Sequence, residues 1–190
     1  MAFTTSRLFT NVKNPNMKFY ILSLFVIIIT SCSQRVYIVR HAEKAETTDS
    51  VSMNLQNDLP LSEAGKVRAI VLKEALKNQN IDYIFSTNTL RTRSTAEPLS
   101  EAIGVPVKLY GMDTLDRFIS QVKNFPSGNV LIVGHSNTVD DIVNKLIGKK
   151  RLHADLMDNE YDNMFVITYR NFFGKRVSFR NRTYGYPSNP

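Results

Sequence analysis

The sequence predicts a three-layer α/β domain: a largely parallel central sheet, helices on both faces and an antiparallel hairpin at the carboxyl end. Three observations carry this. Apolar runs of strand length alternate with segments of helical period from Val36 to Leu146, the order that builds a parallel sheet covered on both sides. The clearest runs are apolar at every residue rather than at every second one, as strands buried on both faces are. Finally, residues 163–170 and 176–182 flank Gly174 with no helical segment between them, the pattern of a hairpin.

The first strand is Val36-Tyr37-Ile38-Val39, and Arg40, His41 and Glu43 follow it at once. Residues 44–60 are polar and irregular and read as a long loop over the carboxyl edge of the sheet. Ser62 caps a helix expected to turn Ala64, Val67, Val71, Ala75 and Leu76 inward. Ile81 to Phe85 forms a second strand ending at Ser86. Thr92 to Ile103 carries Ala96, Leu99, Ala102 and Ile103 at helical spacing, with Gly104 as its stop. Pro106 interrupts the short strand Val105 to Leu109 and places it near an edge. Asp113 caps a helix with Leu115, Phe118, Ile119 and Val122 inward, and Pro126-Ser127-Gly128 turns the chain. Asn129 to Gly134 is a buried strand that ends on His135. The next helix buries Val139, Ile142, Val143 and Leu146, carries Asp140 and Asp141 in its first turn, and stops at Gly148. The polar stretch 149–162 has no regular period, and the tail after Thr183 is expected to be loose.

Three strands thus deliver polar groups at corresponding ends: Arg40-His41, Ser86 to Arg91, and Gly134-His135-Ser136. In open α/β sheets those ends lie side by side and bind ligands. Two guanidinium groups and two imidazoles without a cluster of acids suit a tetrahedral oxyanion better than a metal ion. By contrast, His153 stands outside every such cluster, Arg93 and Lys149-Lys150-Arg151 read as solvated surface, and Ser86 and Ser136 as partners of loop backbone.

At 190 residues, 43% hydrophobic and 22% charged, the chain suits one globular domain and excludes extended disorder. Residues 1–32 stand apart. Phe19 to Thr30 is an uncharged apolar run after Lys18, shorter than the roughly 20 residues of a membrane span and sufficient for a secretory signal. Ile29-Thr30-Ser31-Cys32 resembles a bacterial lipobox, with Cys32 as the lipidated residue and Met17 as a possible true start. Residues 33–190 then form the mature domain, an exported, periplasm-facing lipoprotein whose membrane contact is the anchor. Cleavage removes Arg7, Lys13 and Lys18 and no acid, leaving 21 cations against 17 acids, a charge of +4 that calls for no nucleic-acid partner. With no cysteine besides Cys32, the mature domain has no internal disulfide and rests on its apolar core.

"VRHAE", "LSEAGKVRA", "STNTLRTRSTAEPL" and "VGHSN" together resemble, in order, the four sequence elements of the histidine phosphatase superfamily, from about Val36 to Leu146. The resemblance implies a phosphoglycerate mutase-like fold and a phosphomonoester hydrolase that needs no metal or other cofactor. Its substrate would be a phosphorylated small molecule or a phosphoprotein. His41 would be the nucleophile that becomes phosphohistidine, Arg40 and Arg91 would clamp the phosphoryl oxygens, and His135 would donate to those oxygens, most strongly if protonated. The acid that protonates the leaving group is expected at Asp113 or Glu43, because Ser136 occupies the place directly after the second histidine where some acid phosphatases carry an aspartate. The rival readings are a phosphomutase of the same family and a pseudoenzyme lipoprotein that binds phosphorylated ligands without turnover. The short stretch from Glu97 to Phe125 leaves little room for the extra segments of the mutases.

Overall fold

Uninterrupted apolar runs have to be covered on both faces, and the fold is the consequence. A computed structural model of the protein describes residues 33–46, 58–170, 174 and 176–188. The proposed signal segment, the lipobox and Cys32 lie outside the described residues, as does most of the predicted 44–60 loop. Strand β1 (Ser33–Arg40), helix α1 (Glu63–Leu76), β2 (Ile81–Ser86), α2 (Leu90–Ile103), β3 (Val107–Leu109), α3 (Leu115–Lys123), β4 (Asn129–Gly134), α4 (Val139–Ile147), β5 (Asn163–Arg170) and β6 (Arg176–Thr183) follow in chain order. The six strands form one sheet in the order β3-β2-β4-β1-β5-β6. Its first four positions are parallel, and β5 and β6 add to it antiparallel, so the predicted architecture stands, hairpin included.

Alternation along each strand sorts the core into two layers. Val36, Ile38, Val130, Ile132, Phe165 and Ile167 point to the face covered by α3 and α4, which contribute Phe118, Ile119, Val122, Val139, Ile142, Val143 and Leu146. Tyr37, Val39, Leu131, Val133, Met164 and Val166 point to the other face, under Leu72 and Leu76 of α1 and Ala96 and Leu99 of α2. Val36, Ile38 and Val39 are 0% exposed, so truncating Ile38 to alanine costs about 2–5 kcal/mol.

Three elements depart from the sequence expectation. Helix α1 is rotated: Gly65, Arg68, Ala69, Leu72 and Leu76 face inward, while Val67 and Ile70 are 53% and 45% exposed. The cause is Arg68, drawn in by the carboxylate of Glu43 and by the carbonyls of Tyr184 and Tyr186. Those contacts also dock the tail that was expected to be loose. Tyr184 is buried, its amide donates to Asp162 O at 2.9 Å, and Ser188 Oγ donates to Asp162 Oδ1 at 2.9 Å. Lastly, Asp113 is not the cap of α3: that position belongs to Thr114, which makes no side-chain cap bond.

Candidate active site

The register of the parallel strands sets the site. Arg40 stands opposite Gly134, and Ser86 opposite Val133, so β1, β4 and β2 stop at one level and release their next residues into one cavity. Its volume is about 270 Å³, and its walls are Arg40, His41, Lys44, Leu59, Arg91, His135, Ser136, Asn137 and Asp158. All four residues that the sequence pattern pointed to are present: both histidines and both arginines.

His41 is 4% exposed. Its amide donates to Gly134 O at 2.8 Å, which ties the residue after β1 to the end of β4. Its ring Nδ1 lies 2.7 Å from Ala42 O. A carbonyl only accepts, so Nδ1 carries the proton and Nε2 keeps its lone pair. Ala42 N in turn donates to Thr95 Oγ1 at 2.9 Å, and that hydroxyl donates to Arg91 O at 2.8 Å, so α2 fixes the loop bearing the first histidine. Burial pushes the His41 imidazole down to about 3, and Arg40, Arg91 and His135 push the same way. It is neutral at physiological pH.

The ring of His135 meets that of His41 edge to face, with centroids 5.4 Å apart. Arg91 Nη2 lies 3.4 Å from its Nδ1, and a guanidinium only donates, so the proton sits on Nε2, 2.9 Å from Thr87 Oγ1. Thr87 passes its own proton to Thr92 Oγ1 at 3.0 Å. Burial, with Arg91 and Arg40 beside it, pushes His135 down to about 4. Two neighbouring cations and a dry position disfavour a third charge on His135, so the protonated form, in which it would donate most strongly, is the disfavoured one here.

Arg40, 3% exposed, is held by a segment that sequence reading passed over as polar and irregular. Its Nη1 donates to the carbonyls of Met157, Asp158 and Glu160 at 2.7, 3.1 and 3.3 Å, and its guanidinium stacks 4.1 Å from the ring centre of Tyr161. Its Nε is buried without a partner among the described residues. Asp158, in the same turn, lines the cavity with its carboxylate 3.9 Å from Arg40 Nη2.

Neither expected acid lines this cavity. Glu43 Oε1 accepts from Arg68 Nε at 2.8 Å and lies 2.7 Å from Arg68 Nη2, so one carboxylate oxygen serves both nitrogens, while Oε2 is buried without a partner among the described residues. The ion pair holds α1 against the loop after β1. Asp113 is exposed, with its carboxylate folded back over Gly111. Beyond Asp158, sequence reading missed Lys44 and the threonines Thr87, Thr92 and Thr95, although all three threonines stand inside the quoted motif around Arg91. Their hydroxyls are buried and paired, as a buried hydroxyl has to be, which the spacing of the motif alone does not show. Among the described residues there is no group of three or more His, Cys, Asp and Glu that could hold a metal ion.

This geometry can be set beside known proteins. Residues 36–111 match the family described as the Histidine phosphatase superfamily (branch 1). The domain has the histidine phosphatase superfamily fold. Two curated relatives named "Probable phosphoglycerate mutase GpmB" illustrate the extent of the sequence likeness. The Photorhabdus laumondii protein is 33% identical over 75 residues, covering 40% of this chain and 34% of the relative. That of Yersinia pestis is 34% identical over 71 residues, 37% of this chain and 33% of the relative. The chain thus spans about a third of the length of these relatives. Likeness to solved structures reaches further. SixA from Agrobacterium tumefaciens superposes with a TM-score of 0.53 at 17% identity, covering 80% of this chain and 98% of that one. A mycobacterial glucosyl-3-phosphoglycerate phosphatase superposes with a TM-score of 0.51 at 16% identity, over 77% and 97%. In the histidine phosphatase-like domain described here, the matched segment runs from β1 through β3 and contains Arg40, His41 and Arg91; His135 lies beyond it, brought in by β4.

Proposed function

We propose that the domain is a phosphomonoester hydrolase working through a phosphohistidine on His41, and that lipid on Cys32 holds it at a membrane, facing the periplasm. One observation carries the chemistry. The neutral His41 ring spends its Nδ1 proton on Ala42 O and keeps the Nε2 lone pair, in a cavity walled by two guanidinium groups and a second imidazole.

The phosphoryl oxygens of a substrate would lie between Arg40 and Arg91, where they answer the unpartnered Nε of Arg40. His41 Nε2 attacks phosphorus; the N–P bond forms as the bond to the leaving oxygen breaks. The Nδ1–H bond to Ala42 O steadies the positive charge that grows on the ring. A bound phosphate dianion favours a proton on His135, which then donates to the same oxygens. Asp158, an exposed carboxyl at the rim of the cavity, takes up a proton from solvent and gives it to the leaving oxygen. In the second step water attacks phosphorus, returns a proton to Asp158 and frees His41. These side chains complete the cycle by themselves. Between α2 and β4 the chain holds only β3 and α3, without the added segments of a phosphomutase, which favours transfer to water.

The test is phosphate release from a panel of phosphomonoesters, with and without chelator, by the wild-type chain and by His41→Ala. Chelator-resistant turnover and an acid-labile phosphoenzyme, both absent in the variant, support the reading. Tight phosphate binding with no turnover by the wild type would replace it with a binding role. Fatty-acid labelling of the wild type against Cys32→Ala tests the anchor separately.

A further inference from the structure

We propose that one face of the β5–β6 hairpin is a docking surface for an anionic phospholipid bilayer. The argument starts from the pairing register. Ser33, Arg35, Tyr37 and Val39 of β1 stand opposite Arg170, Thr168, Val166 and Met164 of β5. Those four stand opposite Arg176, Ser178, Arg180 and Arg182 of β6. Because successive residues alternate sides, all twelve share one face of the sheet, the one that carries Tyr37, Val39, Met164 and Val166 inward.

Two features set this face apart. Helices α1 and α2 cover it over β2, β4 and β1, but among the described residues no helix on this side packs on β6: α4, which does reach β5 and β6, lies on the opposite side. The uncovered part carries Arg35, Arg170, Arg176, Arg180 and Arg182, all exposed, and no acid occurs among the twelve positions. None of the five guanidinium groups enters an ion pair among the described residues. An edge strand gains protection from charge of either sign, and a mixed pattern would serve. A single-sign patch instead costs mutual repulsion, and it attracts anionic surfaces.

The choice of a bilayer over other polyanions comes from where the patch lies. Ser33 pairs with Arg170, which pairs with Arg176, so the basic face begins at the residue that follows Cys32. A lipid on Cys32 would bring this face to the headgroups before any other, and each arginine near an anionic surface strengthens partition about fivefold. Docking so lays the strands along the membrane, and the cavity at their carboxyl ends opens sideways, clear of the lipid. The inference goes beyond the proposed chemistry and rests on the anchor reading only for proximity.

The chain contains no tryptophan, so one introduced indole is an unambiguous probe. Full-length protein carrying Ser178→Trp on the basic face, or Val177→Trp on the opposite face, is mixed with vesicles of phosphatidylcholine alone or of phosphatidylcholine with phosphatidylglycerol. Quenching by acrylamide is then measured. The expected result is clear shielding at 178 and little at 177, only with phosphatidylglycerol, reversed by high salt and lost when Arg180 and Arg182 are replaced by glutamine. Equal quenching at 178 in both vesicle types overturns the proposal. So does shielding at 178 by soluble polyglutamate but not by vesicles, which would assign the face to an acidic polymer. Co-sedimentation with phosphatidylcholine vesicles reports the anchor, and turnover of a soluble phosphomonoester reports the chemistry, so failure of either is distinguishable from failure of the docking face.

Discussion

His41 and His135 face each other edge to face with ring centres 5.4 Å apart, close enough for both to reach the oxygens or phosphorus of a single phosphoryl group. In the proposed mechanism the second ring is a preorganised donor once phosphate binds. Replacing His135 by alanine should lower kcat by about a hundredfold, the usual effect of losing one such donor, while the phosphoenzyme on His41 still forms. Single-turnover kinetics checks this. A rate within twofold of wild type would remove His135 from the mechanism.

Both imidazoles titrate far below their ordinary value of 6.5, near 3 for His41 and near 4 for His135. The unfolded chain therefore takes up protons at a higher pH than the folded one. This contribution to stability is whole above about pH 6.5 and is lost as the pH falls from there toward 4 and then 3. Between pH 7.5 and pH 5 the loss is on the order of 2 kcal/mol per histidine. Denaturant midpoints at the two pH values should show it, and His41→Ala should remove about half of the difference. Imidazole resonances in NMR should stay those of neutral rings at pH 5.

Asp158 and Glu43 should separate in kinetics. Asp158→Asn is expected to cost roughly a hundredfold or more on alkyl phosphates, whose leaving oxygen needs a proton, and little on nitrophenyl phosphate. Glu43→Gln should lower both substrates in the same proportion. It should also lower stability by about 3 kcal/mol, because Arg68 is 7% exposed and would lose its carboxylate. A leaving-group-dependent loss in the Glu43 variant, and none in the Asp158 variant, would exchange the two roles.

Gly65, inside α1, sits where a Cβ would collide with the backbone carbonyl of Glu43. Alanine in a helix interior ordinarily gains about 1 kcal/mol over glycine; here the collision should win. Gly65→Ala is expected to lower the melting temperature. By displacing the loop that carries His41, it should also reduce kcat/KM on the order of a hundredfold.

Arg40, His41 and His135 were legible because each follows an apolar run, and the sheet then had only to align the ends; Arg91, in the first turn of α2, was legible through the motif that surrounds it. What escaped was set by contacts distant in sequence. The apolar spacing of α1 put Val67 inward, and nothing local reveals that Glu43 and the carbonyls of Tyr184 and Tyr186 turn Arg68 inward instead. Asp158 sits in a stretch with neither period, and only the reach of Arg40, 118 residues earlier, brings it to the cavity. Asp113 misled because a carboxylate before a helical segment reads as a cap from sequence alone, whereas the chain here places Thr114 at that position.

Strand β1 lies in the interior of the sheet, flanked by β4 and β5, and it ends one residue before His41. Fraying of either margin, β3 or β6, leaves its hydrogen bonds untouched. The amides of Val36 to Val39 should accordingly exchange with deuterium only through complete opening of the domain. On heating, inactivation and loss of secondary structure should then follow one curve, because this placement makes the proposed attacking group among the last parts of the domain to come apart.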